Sequence, residues 1–577
     1  MTELFVCPTG DDSAPGSADR PFATLRRAQQ AAREADGEVL VQLRAGTHLL
    51  TETLEFTERD SAAKGSRISY QAYGFGTDEQ ELVEVSGGRR ITDWQVRDGI
   101  WSADVGELDF RQLSVDGKRV ERAGIEAIPG STRRTDTGYV TDSAEPLQWR
   151  APGVELVFRG VYPWTEARCA VAEIVQDGEN TEIRMAQPAF SWGTDLYRSA
   201  WEGEQMTGLP LPSRVENDPA FLTEPGTFAL DRSRPGRHVL NYLPRAGEDP
   251  QRTRVVVPVL EKLIHATGTR DVSFRGLVFA DATWLRPGGD LGFLHYHANG
   301  YHDGGALDTV VVIEDQAWVT VPTEAKTMPA CLSFAETSGI RFDRCRFTRL
   351  GAAGLGVLGG ADLTVRGCDF DTLAGSAISV DGGTHTVIED NRVQRIGLDY
   401  SGSPGIALSN TVDCTVAHNE VSDVPHCGIT AGPGRGTRIL RNLTTDTMGV
   451  LADGGGIYLS GPQGDRADNG AVIAGNVIID TRTPYNFGLY TDYGAAWVTV
   501  EGNVVQRADS TAVLLVSPPL EHVTYRGNFW DADPIGSQEI PDGVDYLDNR
   551  TVTDETEFEA ATARIRARAG LLRDTAD

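Results

Sequence analysis

Lysine is scarce in this chain. Four occur among 577 residues, at 64, 118, 262 and 326, and the formal net charge is −30. No basic stripe is present, so no nucleic-acid partner is expected, and a polyanionic substrate would be repelled. No apolar run approaches the ~20 residues of a membrane span, so no membrane partner is expected either. The seven cysteines are odd in number and avoid CxxC pairs. That spacing argues against a zinc site or a disulfide framework, and neither a metal nor another cofactor is expected. The chain opens MTELFVCPTGDDS without a charged-then-apolar leader. This reads as a cytoplasmic protein, or as a secreted one whose leader has been trimmed.

Glycine, by contrast, is abundant at 64 residues, which suits many tight turns between short strands. From Ser338 to Trp530 one pattern of alternating Val and Ile returns around a small polar residue. The column is Cys345, Cys368, Asn391, Asn419, Asn442, Asn476, Asn503 and Asn528, at intervals of 23, 23, 28, 23, 34, 27 and 25. A period near 23 is too short for two helices and fits one coil of a parallel β-helix, three short strands stacked ~4.8 Å from their copies. An inward Asn has an acceptor and two donors, so a stack of them can satisfy the bends above and below. The two Cys suit a tight apolar stretch of the same stack. The last strand of each coil begins with a small residue: SAISVD, GIALSN, GITAG, GIYLSG, GLYTD, TAVLLV.

The expected fold is all-β: a right-handed parallel β-helix with an inserted β-sandwich-like domain and short capping helices at both ends. Residues 1–100 read as an N-terminal cap helix, with Phe22, Leu25 and Ala28 to Ala32 on one face, followed by the first coils. The period vanishes over 101–255, where alternating segments such as VELVFRGVYPWTEARCAVAEIV indicate antiparallel strands. Trp149, Trp164, Trp192 and Trp201 lie there, mostly as expected core. The coils resume over 256–535, with Leu277 at the column position, and 536–577 reads as a C-terminal cap segment with a helix.

Long loops on one face of a regular scaffold usually build its site. Insertions fall around GLDYSGSP, TMGVLADGG and GPQGDRADNG in the late coils, and around LRPGGDLGFLHYHANGYHDGG earlier. His295 and His297 share a strand face, with His302 beyond. A lone His-x-His is weak evidence for a metal, and substrate hydrogen bonding or a plain loop are the alternatives. Asp453 in GVLADGGGIYLSG and Asp492 in NFGLYTDYGAAW stand out in neighbouring coils.

The run VAHNEVSDVPHCGITAG, then GVLADGGGIYLSG, then GLYTDYGAAWVTVEGNVV resembles glycoside hydrolase family 141 and its right-handed parallel β-helix relatives. DDSAPGSADRPFATL and RQLSVDGKRVERA extend the resemblance over most of the chain. It implies a glycosidase, in a family that includes α-L-fucosidase and xylanase activities, with Asp453 and Asp492 as the catalytic pair. Where relatives commonly carry Glu-Gly-Ser, Tyr-Gly-Ala follows Asp492. A carbohydrate is the implied substrate. One carboxyl would donate a proton to the leaving oxygen while the other stabilises or attacks the oxocarbenium-like centre.

Register places Leu489 inward and Tyr490 and Asp492 outward. Asp453 lies seven positions from that column, too far for a working pair unless Gly454, Gly455 and Gly456 fold the loop back. The alternative for Asp453 is a turn former, and for Asp492 a structural strand end. Asp381 shares the Asp492 column but sits four coils away, roughly 19 Å. Asp423, Asp446 and Asp480 each follow a column Asn by four residues and read as a repeated bend. His426, Tyr458 and Tyr490 are candidates to bind hydroxyls, and Trp284 and Trp497 to stack on a sugar ring. The rival functions are a polysaccharide lyase or uronate epimerase, which need a cation to neutralise a carboxylate, and a non-catalytic carbohydrate-binding rod.

Overall fold

The structure, a computed structural model, describes every residue except 202, 314–316, 510, 511, 513, 537–538 and 573–577. The chain forms two compact units, one of 1–87, 262–280 and 329–577, the other of 88–261 and 281–328. The second unit therefore begins at Gly88 rather than near 101. It also takes in 281–328, which the period alone reads as a loop of the rod. Both stretches pair in antiparallel fashion among themselves, and a parallel-coil period carries no signal for that.

The first unit is the parallel β-helix. One face stacks Leu54–Phe56, Ile264–Thr267, Ala330–Ala335, Ala353–Leu358, Ile378–Asp381, Ile406–Ser409, Ile429–Ala431 and Ile457–Pro462, ending on Leu489–Glu501. That last strand is long enough to continue into a second face, where it pairs Ala471–Ala474 and Glu521–Arg526. A third, twelve-stranded face runs from Gly46–Leu49 to Arg550–Thr551. In the TAVLLV segment Thr511 and Val513 lie outside the described residues, and Ala512 and Leu514 to Val516 carry no strand.

Between the second and third faces the asparagines form a continuous stack. The Asn442 carboxamide oxygen accepts from the Asn419 backbone N–H and from Asn419 Nδ2, both at 2.9 Å. Asn442 Nδ2 donates in turn to Val416 O and to Asn476 Oδ1. The same pattern runs from Asn391 to Asn528, and one coil further to Asn549. Each inner amide is fully buried and uses both its donors and its acceptor within the stack. At the start of the stack Cys345 N–H faces Cys368 Sγ. There the interior is filled by rings: Phe347 and Phe370 stack at 4.3 Å, and Phe274 and Phe342 at 5.1 Å.

Helix Leu25–Glu34 is capped by Thr24 and buries Leu25, Ala28, Gln29 and Ala32. Leu25 and Gln29 close over Leu54, Phe56, Tyr70 and Phe274 at the start of the rod. Helix Glu555–Arg566 does not lie across the far end. Phe558 packs on Val477, Val504 and Val552, and Arg566 donates to Gln506. Gly570 N–H then bonds to Arg441 O and Leu572 N–H to Asp390. The tail thus runs back along the flank of the coils, over apolar positions that the third face leaves outward.

The second unit contains eight-, ten- and four-stranded sheets, almost wholly antiparallel. Its core gathers Tyr139, Phe158, Phe190 and Tyr197. Trp149 belongs to that core, Trp164 and Trp192 pack against it, and Trp201 is exposed. A fully buried Glu155 accepts from Arg111 and Arg122, which holds its carboxyl well below the usual range despite burial.

Candidate active site

Parallel pairing sets Tyr458 opposite Tyr490, and Ser460 opposite Asp492. Ile457, Leu459, Leu489 and Thr491 are sealed in the rod, so Tyr458, Tyr490 and Asp492 point outward on the alternate positions. The register also puts Asp381 in line with Ser409, four coils below Asp492, and Asn410 occupies its carboxylate.

Asp453 reaches the same place by another route. Its backbone is left-handed, φ 56°, and its N–H donates to the carbonyl of Tyr485. Phe487 N–H returns a bond to Gly454 O. The three glycines are required by close approach, not by a left-handed backbone. A Cβ at Gly454 would stand 2.7 Å from Cys427 Sγ, at Gly455 2.7 Å from Gly488 O, and at Gly456 2.6 Å from Thr444 Oγ1. The strained residue is Asp453 itself. Asp423, Asp446 and Asp480 are also left-handed; Asp446 pairs with Arg482 and Asp480 with Arg507.

The tyrosines join the two aspartates. Tyr458 Oη donates to Asp492 Oδ2 at 2.9 Å, and Tyr490 Oη to Asp453 Oδ1 at 3.3 Å. The Tyr490 hydroxyl also acts on Asp492. The Asp492 charge acts directly on Asp453, so the two carboxyls are close neighbours on this corner. The rings meet edge to face at 5.1 Å, and with Cys427, Met448 and Phe487 they form an apolar bed under the pair.

This environment separates the two acids. Burial raises Asp453 to about 7, the Asp492 charge adds to the rise, and Tyr490 opposes it. Burial also raises Asp492, but the Tyr458 hydroxyl opposes it first, then the Tyr493 backbone N–H and, least, the nearby Tyr490 hydroxyl. Asp492 is the better solvated anion and Asp453 the better proton holder. Both charges, after burial, help push the Cys427 thiol up to about 12, so it stays protonated.

His426 joins the group. It is buried, its Nε2 contacts Ala452 O at 3.1 Å, and it flanks Gly454. Trp497 lies at a left-handed position five residues beyond Asp492, and one face of its ring is taken by His522 at 3.9 Å. Trp284, His295 and His297 belong to the second unit. Trp284 is a core ring packed on Phe293 and Tyr301 rather than an open sugar platform. His295 is buried with Nε2 on Ala298 O. Desolvation lowers His297 to about 4, so it is neutral near pH 7. Among the described residues no cluster of three or more His, Cys, Asp or Glu is placed to hold a metal.

Two residues escaped the sequence. Tyr485 is 48% exposed, packs edge-on against Phe487, and is raised to about 12 by burial and then by both aspartates. Cys427 forms part of the floor. Neither follows the repeat; the one available signal for Tyr485 was its place in the loop just before GLYTD.

Residues 323–466 and 399–528 match the family model described as a right handed beta helix region. No curated protein matches the chain. Among solved structures, one described as a glycoside hydrolase aligns over 100% of both chains, with a TM-score of 0.75 and 22% identity. A complex of XylC with xylose aligns over 95% of this chain and 86% of its own, with TM-score 0.49 and 12% identity. A rhamnogalacturonan lyase aligns over 96% and 88%, with TM-score 0.37 and 11% identity. At these identities the likeness is one of fold: the protein is an all-β right-handed parallel β-helix.

Proposed function

We propose that the protein is a glycoside hydrolase of the family 141 type, with Asp453 as general acid and Asp492 as nucleophile or general base. The observation that carries the reading is the pair of outward aspartates in adjacent coils, each taking the hydroxyl of one of two packed tyrosines, with surroundings that favour the proton on Asp453 and the charge on Asp492. Asp453 protonates the glycosidic oxygen as the C–O bond breaks. Asp492 attacks the anomeric carbon or draws a proton from the water that does. Tyr485, half exposed beside the pair, is the candidate sugar contact, and xylan- or fucoside-type oligosaccharides are the first substrates to try.

The test is hydrolysis of a panel of aryl glycosides and plant oligosaccharides by the wild type, Asp453→Asn and Asp492→Asn. New reducing ends, lost in both folded variants, are expected. Products with an unsaturated 4,5-bond would assign the protein to the lyases instead. Unimpaired binding of oligosaccharide with no turnover by any form would leave a binding rod.

A further inference from the structure

The two tyrosines are crossed. Tyr458 sits in the strand that follows Asp453 yet donates to Asp492, while Tyr490, two residues before Asp492, donates to Asp453. Register alone makes them neighbours, and ring packing could account for both. It does not account for where the hydroxyls end. Tyr458 is 6% exposed and Tyr490 5%, and a phenol in such a bed must spend its proton on a partner. Each has a carboxylate oxygen, and a phenol donor favours the ionised form of its acceptor. The shorter contact, 2.9 Å, goes to Asp492. Asp492 also receives the Tyr493 N–H, whereas Asp453 is left with the longer 3.3 Å contact.

We propose that Tyr458 is the positioning residue that fixes Asp492 as the ionised member of the pair, so that the division of roles between two chemically identical side chains is set from the neighbouring coil. The proposal deepens the hydrolase reading and rests on it for its kinetic arm only. Its direct arm is the titration of Asp492 itself.

The experiment uses full-length protein labelled with ¹³C-carboxyl aspartate, with the Asp492 resonance identified by its loss in Asp492→Asn. Tyr458→Phe keeps the ring and removes the hydroxyl. It is expected to raise the Asp492 midpoint by about one pH unit and to move the acidic limb of kcat/KM up equally, so that activity on that limb falls about tenfold. Tyr525→Phe is the control: its hydroxyl is buried in the same rod but meets Thr491 Oγ1, and it should leave the Asp492 midpoint in place. An unmoved midpoint in a folded Tyr458→Phe protein, with activity lowered evenly at all pH or not at all, would overturn the proposal and leave Tyr458 as a packing ring. Should the wild type hydrolyse nothing, the hydrolase reading fails while the titration still decides this one.

Discussion

The rod holds two sets of buried polar side chains, built on opposite rules. In the asparagine stack every coil supplies the same residue, and each amide finds its donors and acceptor in the copies above and below. At the Asp453 and Asp492 corner the tyrosines repeat from coil to coil but the aspartates do not: one sits on a strand and the other in the loop before the neighbouring strand. Like charges stand close, one backbone is left-handed, and burial works against ionisation. Repetition gives satisfaction and stability; its interruption gives a place where protons can be moved.

The widest divide between the two sets is in activity. Asp453→Asn and Asp492→Asn should each lower kcat on a cleaved glycoside by roughly 10²–10⁴. Asn442→Ala, in a protein still folded, should leave the carboxyl pair and its pH profile in place. If the asparagine variant lost as much as the aspartate variants while folded, the division drawn here would be wrong.

Stability should divide the other way. Asn442→Ala strips the acceptor from two Asn419 groups and a donor from Val416 O and Asn476. Leaving those buried groups unpaired should cost about 2–4 kcal/mol, read as an earlier unfolding transition of the rod in urea. A shift below ~0.5 kcal/mol would mean that water replaces the amide.

Asp453→Asn should raise stability above neutral pH. The folded carboxyl sits at about 7 against an ordinary 3.8, so the folded state holds this proton more tightly than the unfolded one. The stability it lends is full below about pH 4 and is lost as pH rises through 7. Asparagine cannot ionise, so the variant should exceed the wild type by on the order of 1–3 kcal/mol at pH 8, after allowance for partial exposure, and match it at pH 4. Equal melting temperatures at both pH values would show that the carboxyl ionises without hindrance. Under the proposed mechanism the same proton would set the basic limb of activity, which should then fall as pH passes about 7.

This contrast also governs what could be read from the residues alone. The stack is legible because it repeats, and so is the outward register of Tyr490 and Asp492, which follows from alternation in one strand. Asp453 is legible only through its motif, since no count along the chain shows that Tyr485 O would anchor it beside Asp492. Tyr485 and Cys427 belong to loops of unequal length and carry no period. Trp284 and His295 mislead for the complementary reason: an aromatic or imidazole in a loop-rich stretch looks like a ligand until its burial is known. The C-terminal helix is plain in sequence. Its place along the flank is not, because that depends on apolar residues that the third face leaves outward, among them Leu443, Ile479 and Phe529.

The finest test lies within the stack. Asn549 is its last member: it accepts from Asn528 N–H and Nδ2 and donates to Tyr525 O, but it is only partly buried. Water can reach what its removal exposes, so Asn549→Ala should cost about 1 kcal/mol or less, well under Asn442→Ala by the same urea measurement. Equal costs at the two positions would mean that the stack acts as one cooperative chain rather than as a sum of local pairings, because an end residue would then carry as much as a middle one.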